Sequence, residues 1–193
     1  VGRDANPLQP EFNYAREVDY VSGAAMCIPK VIWEEVGKFS EELVPCYYED
    51  TDLAFKVRDA GYKTVYVPTS EVVHFEGQSH GTDVTKGLKR YQVVNEKTFR
   101  NKWFKAFKHN GKASFENLKI EKDRNVDQRI LVIDYASPQP NKDAGSYAAI
   151  QEIKLMLALG FKVTFVPENL AHFGKYTTAL QKMGVEVLYS PFY

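Results

Sequence analysis

Cysteine is scarce in this chain, and neither sign of charge is in excess. The 193 residues include two cysteines, Cys27 and Cys46, whose spacing matches no metal-binding or redox motif. This scarcity favours a reducing, intracellular compartment over a secreted, disulfide-linked fold. Lysine and arginine together number 25, and so do aspartate and glutamate. The overall charge therefore does not indicate nucleic acid or an anionic membrane as the main partner.

Long apolar runs are also missing. No stretch is long enough to span a bilayer, and no basic segment followed by an apolar one opens the chain as a signal peptide would. The first residue is Val1 and not methionine, so we expect a piece of a larger protein. With 44% hydrophobic and 26% charged residues, the composition is typical of one or two folded globular domains.

The first part of the chain is predicted to mix short strands and helices. The apolar pattern favours strands at Asp19–Ile28, Thr64–Val67 and Glu71–Phe75. Short helices are expected at Val31–Val36 and at Thr51–Ala60, each followed by a glycine that can end it.

A basic, amphipathic helix is predicted over Lys86–Lys108, with a break near Asn95. Residues 86–112 contain nine lysines and arginines against Glu96 alone. Such a segment can form a solvated helix face packed by its aromatic residues, which we favour, or can associate peripherally with a membrane or an anionic glycolipid.

The last part of the chain has a different rhythm. Apolar strands at 130–135, 161–166 and 185–189 alternate with two helices, which predicts an incomplete Rossmann-like βαβαβ unit of a doubly wound parallel sheet. We therefore expect a domain at 1–120, a linker at 121–128 and a second domain at 129–193. The unit lacks a Gly-x-Gly-x-x-Gly turn, which argues against a dinucleotide site. Gly145 and Ser146 at a helix start could approach a ligand closely or form a simple tight turn.

The densest chemical signal is the segment Tyr47–Asp52, which reads Tyr-Tyr-Glu-Asp-Thr-Asp. It places three carboxylates at the predicted start of a helix, where free amide groups favour negative charge. Two interpretations are open at this point. Asp50 can be a helix cap, or it can be a carboxylate that accepts a proton from a substrate.

Several motifs in order resemble the second half of a family 2 glycosyltransferase domain of the GT-A fold. They are Val21–Met26, Val36–Phe39, Tyr48–Leu53, Arg58–Tyr62, Val67–Pro68 and Val72–His74, and the resemblance extends from about residue 18 to residue 108. The later stretches Glu76–Asp83 and Lys89–Gln92 are similar to a branch found in large bacterial polysaccharide-assembly proteins. Ser40 departs from the pattern, because relatives commonly carry an acidic residue there.

The resemblance implies roles for individual residues. Asp50 would be the catalytic base that removes a proton from the acceptor hydroxyl, and the residues that bind the acceptor would be Glu49, Asp52 and Gly23. Asp50-Thr51-Asp52 also spells the D-x-D motif that binds metal and diphosphate, an interpretation that we rank second. His74 would contact the metal ion or the diphosphate. Ser79 and His80 would belong to a loop over the donor.

As a whole, the resemblance implies an inverting glycosyltransferase of bacterial polysaccharide biosynthesis. It would use a nucleotide-sugar donor, a glycan or glycolipid acceptor and a divalent cation, Mn²⁺ or Mg²⁺, in the cytoplasm or at the inner face of the membrane. We expect the fold to be α/β, a partial GT-A fold followed by a segment similar to the start of a GT-B, family 4-like domain. The isolated fragment is expected to be inactive. The alternative is a non-catalytic module that binds glycan or assembles a partner.

Overall fold

The computed structural model describes residues 6–75, 83–111 and 117–193. The chain divides into two compact units, and each is considered by itself. The first unit comprises residues 17–66 and 71–111, and the second comprises residues 1–16, 67–70 and 112–193.

The first unit is built mainly from helices. Its regular elements, with the strand that leads into it, are β1 (Arg16–Glu17), α1 (Lys30–Glu35), α2 (Glu49–Asp59), β2 (Val65–Tyr66) and α3 (Tyr91–Lys102). Short 3₁₀ turns lie at Gly23–Ala25, Glu41–Leu43, Leu88–Arg90 and Ala106–His109. The strands β1 and β2 form a small two-stranded sheet, next to which the amide of Val18 donates to the carbonyl of Thr64.

Helix α2 is the structural centre of this unit, and the sequence predicted it. Its residues Leu53, Ala54 and Val57 are buried on one face, as the spacing indicates. The helix ends before Gly61, whose φ of +85° lies in the left-handed region that glycine adopts without strain. Phe55 projects from α2 into a cluster of aromatic rings, and that cluster joins α2 to α3. Its other members are Phe99, Trp103 and Phe107, with ring centroids 5.2–5.6 Å from that of Phe55.

Two of the predicted strands are wrong. Within 19–28 the chain forms a 3₁₀ turn at Gly23–Ala25, because the Ser22 hydroxyl accepts the Ala24 amide and competes with strand pairing. Residues 71–75 have no regular secondary structure, and Val73 and Phe75 are 83% and 71% exposed. Apolar residues alone therefore did not make a strand here.

The predicted break of the basic helix near Asn95 is also wrong. Helix α3 runs without interruption through Asn95 and ends at Lys102, before Trp103. Asn95 is only 2% exposed, and its amide is satisfied by carbonyl groups of another segment. A polar residue inside the helix therefore marks a tertiary contact and not a helix end.

The second unit contains a parallel sheet. Its elements are α4 (Leu118–Glu121), β3 (Arg129–Asp134), α5 (Ala144–Ala158), β4 (Lys162–Pro167), α6 (Gly174–Lys182) and β5 (Glu186–Val187). The strand order is β3-β4-β5, all pairs are parallel, and Val132, Phe165 and Val187 lie in register. The helices supply Ile153 and Leu180 to a core centred on Phe165. The α/β fold class with a parallel three-stranded sheet is thus confirmed.

A buried cluster of charged groups lies at the amino ends of β4 and β5. The Lys162 ammonium is 2.5 Å from Asp123 Oδ2 and 2.7 Å from Glu186 Oε2, and Lys122 pairs with Glu186 at 2.6 Å. Burial, together with the negative charge of Glu186, raises the pKa of the nearby Tyr14 to about 12. Asp123 falls within the predicted linker, yet its side chain is only 8% exposed. Asp123 therefore packs at the edge of the sheet. The domain limits predicted from the sequence stay a prediction.

Candidate active site

The acidic turn, residues Tyr47–Asp52, leads into helix α2 through unusual backbone geometry. Tyr47 and Tyr48 have φ angles of +75° and +71°, in the left-handed region that residues with side chains rarely adopt. Each such residue costs roughly 1–2 kcal/mol. The turn therefore needs contacts elsewhere to hold it, and strain of this kind is often found at functional sites.

Asp50 lies in the first turn of α2 and is half-buried. Its Oδ2 accepts a hydrogen bond of 2.8 Å from the Gly23 amide. Its Oδ1 accepts from the amide and the hydroxyl of Thr51, at 2.7 and 3.2 Å. Three donors thus fix the orientation of this carboxylate. A carboxylate offers about four acceptor positions, so one remains for a further donor.

Gly23 touches Asp50 closely enough to limit what can replace it. A Cβ added at Gly23 would lie 3.2 Å from Asp50 Cβ and 3.4 Å from Asp50 Oδ2. The 3₁₀ turn Gly23–Ala25 therefore presents its first amide to the carboxylate across a gap that suits glycine. The structure brings together these two residues, which the sequence analysis had placed in one site.

Asp52 is in a different environment from Asp50, although only Thr51 separates them. Its side chain is fully buried. Oδ2 accepts from the Ser40 hydroxyl at 2.6 Å, and Oδ1 accepts from the Trp103 indole at 2.7 Å and pairs with the Lys102 ammonium at 2.9 Å. Both oxygens are occupied by protein groups. A contact between Asp52 and an acceptor stays a prediction that this geometry does not favour.

The same contacts control the protonation of Asp52. Burial raises the pKa of Asp52, but the hydrogen bonds from Ser40, Lys102 and Trp103 lower it by more, so the pKa lies below its usual value of 3.8. Ser40, which departs from the family pattern, is thus one of three donors to this buried carboxylate. The D-x-D interpretation gains no support here, because the carboxylates of Asp50 and Asp52 have separate partners.

Glu49 is the first residue of α2. Its Oε2 is buried and has no hydrogen-bond partner in the described part of the chain. Burial raises the pKa of the Cys46 thiol, and the negative charge of Glu49 raises it further. A buried carboxylate oxygen without a donor is costly, and the part of Glu49 in binding an acceptor stays a prediction.

The remaining predicted site residues are His74, Ser79 and His80. His74 is exposed in the irregular segment 71–75 and does not end a strand. Ser79 and His80 lie outside the described residues. Within residues 6–75, 83–111 and 117–193, no three His, Cys, Asp or Glu side chains converge to hold a metal ion. The described residues therefore do not supply a ligand set for Mn²⁺ or Mg²⁺, and the cation stays a prediction.

At the start of α5, Asp143 serves as the helix cap. Its Oδ1 accepts the Ser146 amide at 2.6 Å, and its Oδ2 accepts the Ser146 hydroxyl at 2.8 Å. These hydrogen bonds lower the pKa of the Asp143 carboxyl. The Ser146 amide is therefore already used, which favours the tight-turn interpretation over a ligand site.

Sequence reasoning missed the residues of α3 that hold the acidic turn. The Asn95 side-chain amide donates to the carbonyls of Leu43, Cys46 and Tyr47, at 2.6, 2.8 and 3.2 Å. The Tyr48 ring stacks on Phe99 with 5.2 Å between centroids. The available signal was the asparagine itself, a polar residue four positions before Phe99 on the apolar helix face.

Several basic residues of the segment 86–112 are used within the protein. Lys102 pairs with Glu42 and Asp52, Arg100 pairs with Glu96, and the Lys89 ammonium lies 5.0 Å from the centroid of the Tyr47 ring. These contacts fit the solvated-face interpretation. Membrane association through this segment stays a prediction. Among the residues that the structure describes, no helix has the length and apolar character needed to cross a bilayer.

Comparison with known proteins agrees with the motifs around the acidic turn. Residues 9–98 match the model of a family described as "Glycosyltransferase like family 2". Over 73 residues, the chain is 36% identical to the N-acetylglucosaminyl-diphospho-decaprenol L-rhamnosyltransferase of Mycobacterium tuberculosis, strains CDC 1551 / Oshkosh and ATCC 25618 / H37Rv. This match covers 38% of the chain and 24% of the transferase.

A second relative is the "Uncharacterized protein y4gI" of Sinorhizobium fredii (strain NBRC 101917 / NGR234), which is 31% identical over 103 residues. That match covers 53% of the chain and 11% of the relative, so the chain spans a quarter or less of the length of these proteins. No solved structure matches. Residues 9–98 are therefore similar to glycosyltransferase family 2-like proteins.

Proposed function

We propose that this chain carries the acceptor-side part of an inverting glycosyltransferase in which Asp50 is the general base. The donor would be a nucleotide sugar, and the acceptor would be a glycan or glycolipid in bacterial polysaccharide biosynthesis. One observation carries the proposal above the others. The Asp50 carboxylate is held in one orientation by Gly23 and Thr51, yet it keeps capacity for one more donor.

The reaction assigned to this carboxylate is a single displacement. The acceptor hydroxyl donates a hydrogen bond to Asp50, and the carboxylate takes its proton as the hydroxyl oxygen bonds to the anomeric carbon of the donor sugar. The bond from that carbon to the nucleoside diphosphate breaks in the same step, and the diphosphate leaves with the bonding electrons. One displacement inverts the configuration at the anomeric carbon.

Glu49 is the second residue of the proposed site. Its buried Oε2 has no donor among the residues that the structure describes, and a second hydroxyl of the acceptor sugar could supply one. That contact would orient the acceptor while Asp50 accepts the proton. The proton transfer itself takes place between the acceptor hydroxyl and the Asp50 carboxylate.

The name of the Mycobacterium tuberculosis relative suggests where to look for substrates. That protein is named as a transferase of L-rhamnose to an N-acetylglucosaminyl-diphospho-decaprenol. By analogy, a sugar linked through a diphosphate to a polyprenyl chain is the first acceptor class to test. Nucleotide sugars, including one that carries L-rhamnose, form the donor panel.

The decisive experiment replaces Asp50 by asparagine in the protein that contains this segment. Asp50→Asn keeps the shape of the side chain but removes its basicity, so transfer should fall at least ~100-fold while folding and donor binding are retained. Asp59→Asn, an exposed aspartate at the other end of α2, is the matched control and should keep full activity. Asp50→Asn activity above about a tenth of wild type would reject the base assignment, because general base catalysis contributes more than that.

A further inference from the structure

We propose that Asn95 is a positioning residue for Asp50, acting from helix α3 through the backbone of the acidic turn. This inference rests on the proposed function, since it assigns Asn95 a role in the same site. The hydrogen bonds that the Asn95 side chain donates go to backbone carbonyls. Its effect passes through the carbonyl groups to which its side-chain amide donates.

The contacts show how one side chain can hold the turn. The Asn95 amide nitrogen lies within 3.2 Å of three carbonyl oxygens from one short segment, those of Leu43, Cys46 and Tyr47. Asn95 is 2% exposed, so these hydrogen bonds form away from water. An amide group has two hydrogens, and here they are shared among three carbonyl acceptors.

The last of these carbonyls belongs to Tyr47, the first of the two residues with positive φ. Tyr48 follows, and its carbonyl accepts the Asp52 amide as the first hydrogen bond of α2. The direction in which α2 begins therefore depends on how Tyr47 and Tyr48 are held. Since Asp50 lies in that first turn, the orientation of its carboxylate depends on the same two residues.

Helix α3 supplies a second support at the correct spacing. Phe99 is four residues after Asn95, so both side chains lie on one face of the helix. The Phe99 ring stacks on Tyr48, while Asn95 holds Tyr47. Two successive strained residues are thus fixed from one helix face, the first through its carbonyl and the second through its ring.

The first test uses the two cysteines of the chain as reporters. Cys46 lies in the segment that Asn95 holds, and its thiol donates to the Leu88 carbonyl, whereas Cys27 is exposed. Iodoacetamide labelling, measured by mass spectrometry under native conditions, gives the ratio of the Cys46 rate to the Cys27 rate. Asn95→Ala should raise this ratio about 10-fold, because local opening of the segment becomes easier.

Two control variants separate positioning from general loss of stability. Asn101→Ala removes an exposed asparagine from the same helix and should leave the ratio unchanged. Val57→Ala opens a cavity on the buried face of α2, about two helical turns after Asp50, so it should lower the melting temperature but not change the ratio. If Val57→Ala raises the ratio as much as Asn95→Ala does, or if Asn95→Ala leaves it unchanged, the inference is wrong.

The second test measures catalysis with the donor and acceptor found active in the Asp50 experiment. Asn95→Ala should lower kcat about 10- to 100-fold and change the KM for the donor less than threefold, because a small displacement of the base slows the chemical step. Asn95→Ser, which keeps one donor, should recover part of kcat and serves if Asn95→Ala does not fold. An unchanged kcat in both variants, with Asp50→Asn inactive, overturns the positioning role alone. An active Asp50→Asn enzyme overturns the proposed function and this inference with it.

Discussion

Replacing Asp52 by asparagine should destabilise the first unit strongly. The carboxylate is fully buried and accepts hydrogen bonds from Ser40, Trp103 and Lys102. Each hydrogen bond to a charged group contributes about 1.5–3 kcal/mol, and removing one partner of a buried ion pair costs about 3–5 kcal/mol. Lys102 keeps a second partner, Glu42, at 2.8 Å. We therefore expect a loss at the lower end of that range, about 3 kcal/mol.

Urea denaturation, monitored by tryptophan fluorescence, measures this loss of stability in the first unit. Both tryptophans, Trp33 and Trp103, belong to the first unit, so the signal reports on that unit. With a denaturant dependence of about 2 kcal/mol per molar, a loss of about 3 kcal/mol lowers the midpoint by roughly 1.5 M. Glu96→Gln is the control, because its ion pair with Arg100 is largely exposed and contributes less than ~0.5 kcal/mol.

The effect of pH provides an independent check. The folded-state pKa of Asp52 is lowered, so its charge stabilises the fold above the pKa of the unfolded chain, and this contribution disappears as pH falls through the folded-state pKa. The difference between wild type and Asp52→Asn should stay constant at neutral pH and shrink below about pH 4. A loss below about 1 kcal/mol at pH 7 would refute the reasoning, since that is the size expected of an exposed ion pair.

The other predictions concern Lys162 and Gly23. Lys162→Met leaves Asp123 without its closest cation, so the second unit should lose about 3–5 kcal/mol of unfolding free energy. Hydrogen exchange of the β4 amides measures this loss, and protection equal to wild type would contradict it. The pKa of Lys162 is raised, so the contribution of its pair with Glu186 to stability should be lost as pH rises through the folded-state pKa of Lys162. The pKa of Glu186 is lowered, so the same contribution should be lost as pH falls through the folded-state pKa of Glu186. Gly23→Ala should displace the Asp50 carboxylate by a few tenths of an ångström and reduce transfer roughly 3- to 10-fold at unchanged melting temperature; full activity would show that Asp50 can adjust.

Sequence patterns predicted the structure correctly where the pattern belongs to a single helix or strand. The apolar face of α2, the glycine after it and the alternation of strands and helices beyond residue 129 are properties of short stretches, and the structure confirms them. The strands expected at 19–28 and 71–75 are absent from the structure. The prediction failed because a strand needs a partner strand, and a sequence pattern does not show whether a partner is present.

The acidic turn shows the same division between sequence and tertiary structure. The order of residues placed Glu49 and Asp50 at a helix start, since helix ends are signalled locally, and the family resemblance named both as site residues. The sequence could not show which of Asp50 and Asp52 is buried, because the burial of a carboxylate depends on partners that are distant in the chain. Ser40, Lys102 and Trp103 come from 12 to 51 residues away and bury Asp52, while Asn95 reaches back 48 residues to Tyr47. Which acid is buried and which stays accessible was decided only when α2, α3 and the intervening turns packed together.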